Sequence, residues 1–104
     1  MKPAILRAAA RLDIESAAAW YLREAGPRVA TRFANALQAA VREICARPAS
    51  GSPRWAVELA LPGLRSVAVK RFPYLIFYVE RDSDIDVWRV LHGHRDIPEV
   101  LEPH

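Results

Sequence analysis

The hydrophobic pattern of this chain changes period once, near residue 50, and that change restricts the folds open to it. Before it, apolar residues recur at helical spacing. After it, they alternate or run together as they do in strands. A chain of 104 residues is the usual size of one domain and has room for one core. Helices first and strands second, within one domain over residues 1–104, point to an α+β fold.

In the first half, Ile14, Ala18, Tyr21, Leu22 and Ala25 fall on one face of a helix spanning about 9–25. Gly26-Pro27 then breaks the chain, with Gly suited to end one helix and Pro to start the next. A second helix over 28–46 carries the stripe Val29, Phe33, Leu37, Val41 and Ile44, and Pro48 lies just past its end. So short a break predicts an antiparallel helical hairpin, and the many alanines let its two helices approach closely. Cys45 lies in the same apolar helical stretch, where core packing accounts for it.

A loop at 50–53 leads into the strand region. Residues 64–71 alternate, with Arg65, Val67, Val69 and Arg71 on one face. Phe72-Pro73 reads as a turn. Residues 74–80, Tyr-Leu-Ile-Phe-Tyr-Val-Glu, are apolar on both faces, as a central strand covered on each side must be. A polar turn at 81–84 precedes a last strand over 85–92, with Ile85, Val87, Arg89 and Leu91 expected on one face. Residues 4–8 are a possible first strand. Ile97, Val100 and Leu101 would sit on a short helical tail. The expected fold is an N-terminal antiparallel helical hairpin packed on a small, mainly antiparallel β-sheet, closed by a short C-terminal helical tail.

Composition narrows the function classes. The net charge is +3, and every cation except Lys2 and Lys70 is arginine, a residue suited to forked recognition of carboxylate or phosphate. So small a surplus fits an acidic protein partner as well as nucleic acid, and direct nucleic-acid binding stays open. A single cysteine excludes an internal disulfide, and no Cys/His spacing suggests a metal site. No cofactor motif is present. No apolar run approaches the length of a membrane span, and the N-terminus lacks the apolar core of a signal peptide, so a cytoplasmic protein is expected.

Three segments carry more than periodicity. They are Leu61-Pro62-Gly63-Leu64-Arg65, then Val69 to Tyr78 (Val-Lys-Arg-Phe-Pro-Tyr-Leu-Ile-Phe-Tyr), then Val87 to Pro98 (Val-Trp-Arg-Val-Leu-His-Gly-His-Arg-Asp-Ile-Pro). In this order they resemble the ParE branch of the RelE/ParE toxin superfamily, and the alanine-rich hairpin before them is similar as well. The resemblance implies a toxin of a type II toxin–antitoxin system that inhibits growth and serves plasmid or chromosomal stabilisation. A ParD-like antitoxin would neutralise it, and the A subunit of DNA gyrase would be the target, engaged by binding. For that reading the expected target contacts are Arg65, Arg89, His92 and Arg95.

The superfamily also contains RelE-type ribosome-dependent mRNA endonucleases. RNA cleavage needs a base, an acid and cations around one phosphate, for which Lys70, Arg71, Arg89 and His92 are the available residues. Arg89 and His92 lie three apart on one strand and should point to opposite faces. The tail has no tyrosine, and its only histidine is His104. A third reading is a non-toxic module that only engages its antitoxin. Arg89, inside an apolar strand, needs a carboxylate such as Asp86 or a helix glutamate unless it faces a partner. Trp20 is expected in the core or against a partner, and Trp55, after a loop, at the surface.

Overall fold

In a computed structural model of the chain, residues 1–101 are described; His104 lies outside them. The order is β1 (Ala4–Leu6), α1 (Ala8–Ala25), α2 (Pro27–Ala46), α3 (Arg54–Leu59), β2 (Leu64–Ala68), β3 (Tyr74–Glu80), β4 (Ile85–His92) and α4 (Ile97–Leu101), with a 3-10 turn at Pro48–Ser50. The sheet order is β1-β4-β3-β2. β2–β3 and β3–β4 are antiparallel, and β1 runs parallel to β4. The α+β architecture expected from the sequence is present, with the helical hairpin on one face of the sheet and α3 and α4 on the other.

Two cores follow from that layering. Leu37, Ala40 and Ile44 of α2 and Ala10 of α1 pack on Ile76, Tyr78, Ile85, Val87 and Val90. Below the sheet, Leu64, Phe77 and Leu91 meet Ile97 and Leu101, with Trp55 against them. The middle of β3, Ile76-Phe77-Tyr78, is wholly buried and feeds both cores, as its two-faced apolar run requires. Toward the turn end of the hairpin, Tyr21, Phe33, Phe72 and Tyr74 form an aromatic cluster with ring centroids 5.1–6.3 Å apart.

Several elements differ from the sequence reading. β1 ends at Leu6 rather than residue 8, because α1 starts at Ala8. β2 ends at Ala68 rather than residue 71. Val69 to Pro73 form the turn into β3, and Arg71 takes a positive φ of 71° there. α3 occupies a stretch to which the sequence pattern assigns no element; it is only 6 residues long and has no side-chain cap at its start, so no boundary signal marks it. On α1, Ala10, Ala17 and Tyr21 are buried, while Leu22 and Ala25 are exposed. Trp55 is half-buried, with the Arg54 guanidinium 4.5 Å over its ring.

β4 departs most from simple alternation. Phe77 pairs with Arg89, but Tyr78 pairs with Val87, leaving Trp88 as an extra residue in a β-bulge. The bulge reverses which face later residues occupy. Ile85 and Val87 face the hairpin, and past the bulge Val90 does so instead of Arg89. Leu91 consequently enters the lower core.

The bulge is held by a charged cluster. The Asp86 carboxylate accepts from Arg7 at 2.8 and 3.1 Å and from the Trp88 indole at 3.0 Å. The Arg7 guanidinium also lies 4.5 Å over the Trp88 ring. Behind β3, the Tyr78 hydroxyl donates to Pro48 O at 2.6 Å and accepts from Gly51 N at 3.2 Å. A side chain at residue 51 would strike that hydroxyl, so glycine is required by close approach.

Burial by itself would raise the Asp86 pKa, but the bonds from Arg7 and Trp88 and the charges of Arg7 and Arg81 outweigh it and leave the pKa lowered. A carboxylate with a lowered folded pKa contributes stability above its unfolded value and loses it as pH falls through the folded one. We therefore expect stability to decline on acidification through and below the ordinary aspartate range. Asp86→Ala should cost roughly 2 kcal/mol at neutral pH, less than a fully buried pair because Arg7 stays half in water. It should also flatten the acid limb. Urea unfolding of both proteins across the acid range measures this; parallel pH profiles would contradict it.

Candidate functional site

β1 covers only the first part of the β4 edge, pairing with Ile85, Asp86 and Val87. Beyond Val87 the edge is met by a side chain from α1. Asp13 Oδ2 accepts from Val90 N at 2.9 Å and from Arg89 Nε at 2.7 Å, and Asp13 Oδ1 accepts from Arg89 Nη2 at 2.8 Å. This forked pair stands where the next residues of a neighbouring strand would be. The bond to Asp13 outweighs partial burial and raises the Arg89 pKa. Arg89 thus finds its carboxylate on the helix, but the partner is Asp13 rather than Asp86 or a glutamate.

Above that pair opens a groove of about 560 Å³ between α1 and the ends of β3 and β4. Its floor is Ala17, Tyr21, Val90 and Leu91, and its walls carry Ser16, Trp20, Tyr74, His92 and Arg95. His92 pairs across the strands with Tyr74, ring centroids 5.3 Å apart, and its other side meets the His94 ring at 5.2 Å. His92 Nδ1 accepts from His94 N at 3.1 Å, which places the hydrogen of the neutral ring on Nε2. Burial raises the Tyr74 pKa; the charge of Arg95 lowers it and that of Asp13 raises it, leaving a net upward shift. Tyr74 is therefore a protonated phenol at neutral pH. Trp20 is 50% exposed at the rim rather than in the core.

The residues singled out from sequence are divided among three settings. His92 and Arg95 share this groove, and Arg95 has no carboxylate partner among the described residues. Arg89 lies beneath it, held by Asp13. Arg65 is occupied elsewhere, donating to Gly51 O at 2.7 Å. Lys70 and Arg71 line a second groove, between α2 and the end of β2, together with Arg32 and Asn35. The Tyr21–Phe33–Phe72–Tyr74 cluster stands between the two grooves. The four residues available for RNA cleavage are therefore not gathered around one point. No three His, Cys, Asp or Glu side chains gather as a metal site among the described residues.

Asp13, Ser16 and Tyr74 were missed as site residues. A signal for two of them existed: Asp13, Ser16, Ala17 and Trp20 fall at i, i+3, i+4 and i+7, one mixed-polarity face of α1.

A family model described as the ParE toxin of the type II toxin-antitoxin system, parDE, matches residues 4–97. The chain belongs to the ParE toxin family. It is similar to "Putative toxin Y4kP" of Sinorhizobium fredii (strain NBRC 101917 / NGR234), 31% identical over 96 residues, covering 92% of this chain and 91% of that protein. It is also similar in fold to a chain of the chromosomal ParDE toxin–antitoxin system from P. aeruginosa. That match has a TM-score of 0.72 and 19% identity and covers 88% of this ParE-family chain and 96% of the other. As a ParE-family toxin, the chain is a component of a type II toxin–antitoxin system.

Asp13→Ala in this toxin would strand the Arg89 charge and open the Val90 N–H. The expected cost is about 2 to 3 kcal/mol, measured by urea unfolding at neutral pH. A loss below roughly 0.5 kcal/mol, the range of an ordinary surface change, would show that Asp13 does not hold this edge.

Proposed function

We propose that this ParE-family toxin acts in the cytoplasm by binding the A subunit of DNA gyrase, without hydrolysing a substrate, and that a ParD-like antitoxin neutralises it. The gyrase target comes from the family resemblance. The observation that supports binding over RNA cleavage is the division of the basic residues. Lys70 and Arg71 lie in one groove, His92 in the other, and Arg89 is bonded to Asp13. An RNase needs its acid, base and phosphate-stabilising cations within reach of one phosphate. The protonated Tyr74 phenol is also poorly suited to accept a proton.

A binding toxin, by contrast, needs an accessible surface with a few strong contact residues. Helix α1 supplies exposed apolar residues. Trp20, half exposed, stands at the rim of the groove that holds His92 and Arg95, and Leu12 and Leu22 are exposed elsewhere on the same helix. Exposed apolar residues on a helix also suit coverage by an antitoxin.

The experiment is pulse labelling of DNA and protein synthesis immediately after induction of the chain without antitoxin. DNA synthesis is expected to fall first. An earlier fall in protein synthesis would overturn the gyrase reading in favour of mRNA cleavage. Continued growth with soluble protein present would leave only an antitoxin-binding module.

A further inference from the structure

The groove beside α1 has a one-sided chemistry. Its one carboxylate, Asp13, is engaged by Arg89 and Val90 N. The groups that remain are donors. His92 presents Nε2–H, because Nδ1 is engaged by His94 N. Tyr74 keeps its phenolic proton. Arg95 is exposed and carries a full charge without a carboxylate partner among the described residues. Ser16 adds a hydroxyl, and Trp20 presents a half-exposed ring at the rim.

We propose that this groove recognises a polypeptide segment of the toxin's target that carries an Asp or Glu carboxylate next to a flat apolar side chain. The carboxylate would bond Arg95 and His92 Nε2, and the apolar side chain would lie against Trp20 and Tyr74. The inference rests on the reading that the chain acts by binding a protein. Charge complementarity selects the occupant. One free guanidinium with neutral donors matches one carboxylate, whose bonds to charged donors are the strong ones. A nucleic-acid strand draws its affinity from several neutralised phosphates, and the other groove-lining polar groups here supply no second fixed cation. The groove volume also lies within the range of pockets that take small groups.

The test is an NMR titration of the full chain with the capped dipeptides acetyl-Glu-Phe-amide and acetyl-Gln-Phe-amide. The glutamate peptide should shift the Trp20 indole, His92 and Arg95 signals and bind about tenfold more tightly than the glutamine peptide. Arg95→Gln should erase that difference, and Lys70→Gln should leave it intact. Equal binding of the two peptides, shifts centred on Lys70 and Arg71, or tighter binding of uridine monophosphate at Trp20 would each overturn the proposal.

Capture of purified gyrase A subunit by the wild type and by Trp20→Ala/Arg95→Gln separates this inference from the reading beneath it. Both substituted side chains are exposed, so the fold should survive, and circular dichroism checks that. If the double variant captures gyrase A as well as the wild type does, the groove is not the contact and the gyrase reading stands. If the acidic peptide binds as expected but the wild type captures no gyrase A, the groove chemistry stands and the gyrase assignment falls.

Discussion

Strand β1 is 3 residues long and β4 is 8, so one flank of β4 would be bare past Val87 if strands alone had to cover it. An open strand edge leaves backbone donors unpaired and invites pairing with other chains. The Asp13 carboxylate fills that gap. It takes the Val90 N–H and holds Arg89 in a forked pair, so a helix side chain does the work of missing backbone. The same contact fixes α1 against the sheet at the height where the groove begins. Tyr74, His92 and Arg95 on one wall and Ser16 and Trp20 on the other keep their spacing because Asp13 ties the two walls together at the base.

Much of this architecture is legible in the sequence. The stripe Phe33–Leu37–Ile44 marks the buried face of α2 because helix period and burial coincide there. The run from Tyr74 to Glu80 marks an interior strand because it is short, rich in β-formers and apolar on both faces, as a strand covered on each side is. The bulge at Trp88 was not legible. A period-2 reading places Arg89 with Ile85 and Val87, and one inserted residue reverses that. The turn at Val69–Pro73 was hidden for a related reason. Alternation continues through Arg71 in the sequence, while the backbone there has already left the strand with a positive φ.

The site was half legible. His92 and Arg95 are next to each other in space as they are in sequence, near the end of one strand. Arg65 and Arg89 drew notice as cations in strands, but both serve the fold, one tied to Gly51 O and the other to Asp13. Periodicity reports burial, and burial does not tell a paired arginine from a waiting one. That distinction needs the partner, which lies 76 residues away for Arg89 and 14 for Arg65.

Binding of a protein, as proposed for this toxin, and cutting of RNA are told apart most directly by titrating the purified chain, in parallel, into DNA supercoiling by purified gyrase and into cell-free translation of a defined message. For a binding toxin, supercoiling stops while the message stays intact and is translated. Cleaved message and arrested translation, at concentrations that leave supercoiling untouched, would contradict that proposal.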